Sequence, residues 1–397
     1  MTDAARDWAR ARPALDLPRV RPPLALNSQP AQPNLPLAER LRERIGREGA
    51  VTFRDWMETA LYDERGGYYN RPDLARWGRS GDYRTAPERS PLFAATFARH
   101  FSRLHAELGS PRRWTILEAG AGAGHFARGV LEILASDHPT VFDATCYVID
   151  EGSAAARELT LSRLAGFAGR VEFAPLKDLP ASAFDGVVFS NELLDALPVH
   201  RVRVHEGRLR ELCVALDEAG DFCWVEREPS TPRLAEHFRS AGVKLAEGQA
   251  AEVNLAAGEW IGRAARVLSR GFLVTVDYGA PPGELYDVRL RPDGTLRAFT
   301  SHRLSDDLLA RPGEQDLTST INWTQIVRAG ESAGLGTVLL ERLDTFLLHA
   351  GLPDQLESLA ARAPTESERA SLRLSARELI LPGGLAQSFQ VLIQQKP

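Results

Sequence analysis

The stretch "ILEAGAGAGHFARGVLEIL" sets Glu118 two residues ahead of Gly120, with Gly122 and Gly124 following at every second position. Glycines spaced this way leave backbone N–H groups open to a close ligand, and a helix start offers more of them. The pattern suits a nucleotide-like molecule, and Glu118 narrows the choice. A carboxylate aimed into such a loop repels a pyrophosphate and attracts an ammonium. S-adenosylmethionine carries an ammonium and a sulfonium and no phosphate, so the charge favours it, with S-adenosylhomocysteine as the product. A dinucleotide register, Gly122-x-Gly124-x-x-Ala127, is the alternative and would make the chain an NAD-dependent oxidoreductase. Such an enzyme wants a Tyr-Lys or His pair, and Lys177, Lys244 and Lys396 are the only lysines among 397 residues.

Further acidic positions extend the pattern. "YVIDEGS" supplies Asp150 and Glu151, where a carboxylate accepts both ribose hydroxyls. Glu151 is the first choice and Asp150 the near alternative. "PLKDLP" places Leu176 and Asp178 where an adenine edge would lie. "FSNELLDALPVHRV" then brings Asn191, Glu192 and Asp195 to the end of a strand, where a methyl acceptor should sit. Glu192 and Asp195 are one helical turn apart, so both line one pocket if a helix starts there. The competing role for Asn191 or Asp195 is to cap that helix. His200 is a candidate base, although a His-Arg pair at a strand start is as often structural. Asp316, in "GEQDLT", is a candidate from across the cleft. "GDYRTAPERSPLF" (81–93) has the composition of a turn.

These residues need strand ends to carry them. "WTILEAG", "TCYVID", "RVEFAPL", "FDGVVFS" and "GFLVTVDYG" are short apolar runs separated by helical segments, the alternation that builds a parallel sheet. "TVLLERL" (337–343) and "FQVLIQQ" (389–395) make seven strands. The expected fold is therefore an α/β, doubly wound, mostly parallel sheet. Residues 199–230 alternate as a β-meander, with turns at Glu206-Gly207 and Ala219-Gly220. "PLAERLRERIGREGAVTFRDWMETALYD" reads as two amphipathic helices split near Gly49, and 91–108 as a third opened by proline. The expected layout is a Pro-rich arm over 1–36, a helical and lid region over 37–110, and a cofactor-binding domain over 111–397. That domain carries insertions at about 199–265 (meander and helices) and 345–378 (helical).

The bulk properties agree with a soluble enzyme. The chain is 44% hydrophobic and 25% charged, with net charge −5, whereas a nucleic-acid partner would call for a basic face. Cys146, Cys213 and Cys223 form no C-x-x-C pair, and the nine histidines form no H-E-x-x-H, so no metal site is expected. The N-terminal stretch lacks the apolar core of a signal peptide and carries Asp3, Asp7 and Asp16, unlike a transit peptide. No apolar run is long enough to span a membrane. The expected location is the cytoplasm.

Taken together, "LYDERGGYY" (61–69), "GDYRTAPERSPLF", "LEAGAGAGHFARGVL", "NELLDALPVHRV", "VTVDYG" (274–279) and "GEQDLTSTINW" (313–323) resemble, in order, the MidA family of class I S-adenosylmethionine-dependent methyltransferases. The resemblance runs from about residue 40 onward. It implies a Rossmann-like methyltransferase fold and a protein-arginine acceptor, since the family's mitochondrial member acts in respiratory complex I assembly and methylates arginine in a complex I core subunit. It also implies that "GDYRTAPE" closes over the cofactor, with Gly81, Asp82, Thr85 and Pro87 in the lid. Two departures stand out: Asp150 where the family more often has an apolar residue, and an N-terminal arm without a counterpart. The remaining alternative is a methyltransferase fold that serves only as an assembly chaperone.

Overall fold

The computed structural model describes residues 35–71, 74, 90–300, 303–305, 307–381 and 385–397. The arm and the lid candidates Gly81, Asp82, Thr85 and Pro87 lie outside these residues.

Seven strands form the path of the main sheet: β1 (Trp114–Ala119), β2 (Thr145–Asp150), β3 (Val171–Phe173), β4 (Phe184–Asn191), β5 (Leu268–Ala280), β6 (Gly336–Arg342) and β7 (Phe389–Lys396); an eighth, two-residue strand, Ile321–Asn322, pairs with the end of β5. They are ordered β3-β2-β1-β4-β5-β7-β6. All run parallel except β7, which is antiparallel to both β5 and β6. All six residues of β1 are buried, as a central parallel strand covered on both faces requires. The chain winds outward from β1 through β2 and β3, then returns to β4 on the other side of β1. The gap between β1 and β4 is the switch point, where an open α/β sheet binds its ligand. The register levels the strand ends: Ala119 is opposite both Asp150 and Ser190, and Asn191 is opposite Val276.

Two cores sandwich the sheet. On one face the helix Pro91–Glu107 packs with His125–Asp137 and with the helices that follow β6. Its start is fixed locally: the Ser90 side chain accepts the Leu92 N–H, and Pro91 occupies the first turn. Phe126 stacks on Phe189 of β4, with centroids 4.3 Å apart. This contact locks the helix after the glycine loop against the strand that ends in Asn191. The other face is covered by the helices Leu255–Val267 and Trp323–Ser332.

The meander is present as His200–His205, Arg208–Leu216 and Phe222–Arg227, with Glu206, Gly207 and Gly220 at positive φ in its turns. It joins Val51–Thr52 and Ala250–Val253 in a second sheet. One boundary differs from the sequence reading. The insertion stops before Leu255, because the helix Leu255–Val267 buries Ala257, Ile261 and Ala264 against the main sheet and feeds directly into β5. It is the β4-to-β5 crossover. The helices Leu343–Ala350, Leu352–Arg362 and Glu366–Ile380 form the late helical elaboration. The helix Leu37–Glu48 buries Leu37, Leu41 and Ile45 at helical spacing. Beside it, Phe53–Tyr62 buries Phe53, Trp56, Met57, Ala60 and Leu61.

Candidate active site

Beyond β1, Gly120, Gly122 and Gly124 take φ values of +72°, +54° and +76°. L-residues with side chains disfavour this region, so the loop depends on its glycines. Helix Ala154–Arg163 props it from outside: the Thr160 hydroxyl donates to the Gly122 carbonyl at 2.8 Å, and Arg163 donates to the Ala123 carbonyl. A Cβ on Gly124 would stand 2.8 Å from Thr160 Cγ2.

Glu118 is buried beneath the loop and accepts the Tyr147 hydroxyl at 2.6 Å. Burial pushes its carboxyl up to about 7; the Tyr147 bond opposes the shift and the Glu151 charge adds to it. Glu151 reaches the loop itself, accepting the N–H groups of Gly122 at 2.9 Å and Ser153 at 2.8 Å. Asp150 turns elsewhere, towards the Leu176 backbone; its pKa is raised, chiefly by burial. Of the two ribose candidates, Glu151 is therefore the one at the glycine loop. Leu176 lies in the hydrophobic core and Asp178 is exposed, so the pair does not present two side chains to one ligand edge. The loop thus combines open backbone with two acidic groups that sense one another. That donor set fits a cationic, phosphate-free molecule. Lys396 is bonded to the Ala265 and Leu268 carbonyls at the amino end of β5, away from the loop that follows β1.

The acceptor side begins at Asn191, whose amide donates to Glu192 Oε1 at 3.0 Å. Glu192 takes φ +51°, a left-handed conformation, and its N–H donates to the Val276 carbonyl at 2.9 Å. No helix follows. Residues 194–197 form a turn closed by the Leu197 N–H on the Leu194 carbonyl, so neither the helical spacing of Glu192 and Asp195 nor a cap role holds. The turn is anchored from outside instead. Asp277 of β5 accepts the Leu194 and Asp195 N–H groups at 3.0 and 3.4 Å, and Asn254 donates to the Leu194 carbonyl at 2.8 Å. The Ser319 N–H and the Tyr62 hydroxyl donate to the carbonyls of Asp195 and Ala196, each at 2.9 Å.

The Asp195 carboxyl lies near the Tyr278 hydroxyl, and its Oδ1 is buried with no donor. Burial pushes Asp195 up to about 6 and raises Asp277 further, the Asp195 charge adding to the second shift. Two neighbouring carboxyls without a cation cannot both ionise readily, so near neutral pH the pair retains a proton. Asp316 accepts the Tyr69 hydroxyl at 2.7 Å. Half-buried Tyr62 has its pKa raised by desolvation and then by Asp316, Asp195 and Glu151, which places it among the acceptor-side and ribose-side groups.

His200 has a structural setting. Its Nδ1 lies 2.8 Å from Glu211, whose side chain is fully buried between meander strands. His200→Ala leaves that carboxylate short of a partner and is expected to cost about 1–3 kcal/mol of stability, with turnover within twofold of wild type. Chemical denaturation and a steady-state assay check this, and a hundredfold loss of turnover would restore His200 as a base.

Residues 96–339 match the family model for S-adenosyl-L-methionine-dependent methyltransferases. The chain belongs to the MidA family of these enzymes. A crystal structure of a family protein from Burkholderia thailandensis, bound to S-adenosyl-homocysteine, superposes with a TM-score of 0.80 at 32% identity and covers 91% of this chain and 92% of its own. The cofactor of this MidA-family protein is S-adenosylmethionine. Mouse protein arginine methyltransferase NDUFAF7, mitochondrial, is 26% identical over 392 residues, covering 91% of this chain and 85% of its own. The Drosophila melanogaster homologue is 25% identical over 362 residues, covering 82% and 76%.

Sequence reasoning passed over several residues that shape this site. Asp277 and Tyr278 sit in "VTVDYG" and Tyr62 and Tyr69 in "LYDERGGYY", blocks that carried the family resemblance but had no role assigned. Thr160 and Tyr147 left no local signal, since each acts only through a neighbour distant in sequence.

Proposed function

We propose that this methyltransferase modifies arginine in a protein acceptor, a core subunit of a respiratory complex I-type enzyme being the expected kind. The observation that carries the reading is the buried Asp195–Asp277 pair, beside which no cation stands among the described residues. A guanidinium is planar, stays charged and forks onto a carboxylate through two N–H groups. Glu192 and Asp195 offer such carboxylates where β4 ends, with Asn191 and Asp316 beside them. Pairing fixes the guanidinium plane and draws charge towards the paired nitrogens, leaving the remaining nitrogen better able to attack. The names of the curated relatives support the same acceptor class.

On this reading Glu118 holds the ammonium end of the cofactor. The loop of Gly120, Gly122 and Gly124 gives it backbone room, Glu151 takes the ribose, and the turn at Leu176–Asp178 borders the adenine. Bound there, S-adenosylmethionine supplies the electrophilic methyl group. The work of the protein is alignment of the acceptor nitrogen with that group.

Glu118 makes the cofactor step pH-dependent. Its proton is held up to about pH 7, and a cationic ligand prefers the ionised form. S-adenosylhomocysteine affinity is therefore expected to rise roughly tenfold per pH unit below 7 and to level off above it. Calorimetric titration from pH 5.5 to 8 measures this. A wild-type profile as flat as that of Glu118→Gln would remove Glu118 from the ammonium site.

The acceptor class is tested by adding tritiated S-adenosylmethionine and the enzyme to extract of a strain lacking it, then identifying the labelled product by mass spectrometry. Methylarginine in a protein is the expected result. Label confined to lysine, nucleic acid or a small molecule overturns the assignment.

A further inference from the structure

An open cleft of about 830 Å³ lies between the helix Leu37–Glu48, the segment at 65–71 and the loop at 307–314, and none of the site residues named above lines it. Five arginines border it, Arg40, Arg42, Arg65, Arg71 and Arg311, in a protein whose net charge is −5. Three are already engaged. Arg40 forks onto Asp63 at 2.6 and 2.9 Å, and Arg71 pairs with Glu314 at 3.3 Å. Arg42 donates to the Gly220 carbonyl at 2.9 Å and lies over the Phe222 ring. Arg65 and Arg311 are exposed and have no ion-pair partner among the described residues.

The turns that carry these two arginines are pressed together. A Cβ on Gly313 would stand 2.2 Å from the Gly66 carbonyl oxygen, so their backbones touch. Arg311 holds φ +47° in a turn closed by the Glu314 N–H on its own carbonyl at 3.0 Å. Glycine would sit there without strain. An arginine kept in a left-handed turn points to a use for its side chain. Asp221, Asp307 and Glu314 also line the cleft, but neither Arg65 nor Arg311 is paired with them, and guanidinium groups left unpaired on touching turns make a receptor for carboxylates.

The position of the cleft says whose carboxylates they are. Arg71 is two residues from Tyr69 and Glu314 is two residues from Asp316, and Tyr69 bonds Asp316 on the acceptor side. At about 3.5 Å per residue, the rim is within roughly 7 Å of chain from that contact. Residues 1–34, which lead into Leu35 on the rim, carry five arginines and three aspartates and so do not bring a net anion.

We propose that this cleft docks acidic residues of the acceptor protein near the target arginine, with Arg65 and Arg311 as the receiving forks. The proposal rests on the acceptor being a protein. Fluorescence anisotropy with the full chain tests it, using a fluorescein-labelled hexaglutamate peptide and its hexaglutamine counterpart. The glutamate peptide should bind and the glutamine peptide should not. The double variant Arg65→Ala/Arg311→Ala should bind the glutamate peptide at least tenfold more weakly, with S-adenosylhomocysteine affinity unchanged. Its KM for the natural acceptor should rise while kcat stays within twofold. Failure of the wild type to bind hexaglutamate, or equal binding by the double variant, overturns the docking site and leaves arginine methylation standing. A non-protein acceptor in the labelling experiment overturns both.

Discussion

Replacing Glu192 with Gln is expected to lower turnover by ~10²-fold or more while leaving S-adenosylhomocysteine affinity within a few fold. The substitution is close to isosteric. It keeps the Oε1 that accepts the Asn191 amide at 3.0 Å and the N–H that bonds the Val276 carbonyl, so the left-handed turn at φ +51° should persist. What disappears is the charge. A hundredfold loss corresponds to about 2.7 kcal/mol of transition-state stabilisation, in the range for removing one positioned electrostatic group. Cofactor affinity should be spared because Glu118, Glu151 and the glycine loop lie on other strand ends. Single-turnover transfer of labelled methyl measures the first quantity and calorimetry the second. Asp195→Asn should fall less, since the amide keeps a side-chain oxygen beside Tyr278. Wild-type turnover in Glu192→Gln would discard the carboxylate clamp and shift attention to Asp316.

Gly124→Val should abolish cofactor binding in a protein that still folds. At φ +76° a side chain costs about 1–2 kcal/mol, and forcing it against Thr160 adds about 1–3 kcal/mol. The sum stays below the stability of an ordinary domain of about 5–15 kcal/mol, so a weakened fold remains. The loop suffers more than the fold. Thr160 must move, and with it goes the hydroxyl that holds the Gly122 carbonyl. Thermal unfolding provides the readout. At a hundred times its Kd, S-adenosylhomocysteine stabilises the wild type by about 2.7 kcal/mol, and the variant should show no ligand-induced rise in Tm. Gly124→Ala should lie between the two and be partly rescued by Thr160→Ser, which removes the methyl group that a new side chain strikes. An undiminished ligand shift in Gly124→Val would mean that the cofactor does not depend on this loop.

The seven strands, the meander and the glycine loop were legible because each announces itself within about ten residues, through β-branched runs, turn pairs and Gly spacing. The order of the strand ends followed from the doubly wound pattern, which puts Glu118, Glu151 and Asn191 side by side from their places in the chain alone. The turn after Asn191 was not legible. Its spacing imitates a helix, but Pro198 has no N–H to continue one, and the carbonyls of Leu194, Asp195 and Ala196 are taken by Asn254, Ser319 and Tyr62, all distant in sequence. The same limit hid Thr160 and Tyr147, whose partners Gly122 and Glu118 are joined to them only by the fold. Local pattern therefore located the strand ends, while the hydrogen bonds that shape the site came from residues with ordinary local context.

The strand order has a consequence for how the protein is made. β7 lies between β5 and β6, and pairs with β5 from Gly271 to Tyr278 and with β6 from Gly336 to Arg342. β5 ends at Ala280, yet β7 begins only at Phe389. During synthesis β5 must emerge, pair with β4 and then wait with its other edge open while more than a hundred further residues are translated. At roughly 5–20 residues per second that interval lasts several seconds, long against the microseconds in which strands find partners. An apolar edge bare for that long invites pairing with another nascent chain. The nascent protein is thus most exposed to aggregation late in translation, and shielding by a ribosome-associated chaperone matters most between residues 280 and 389.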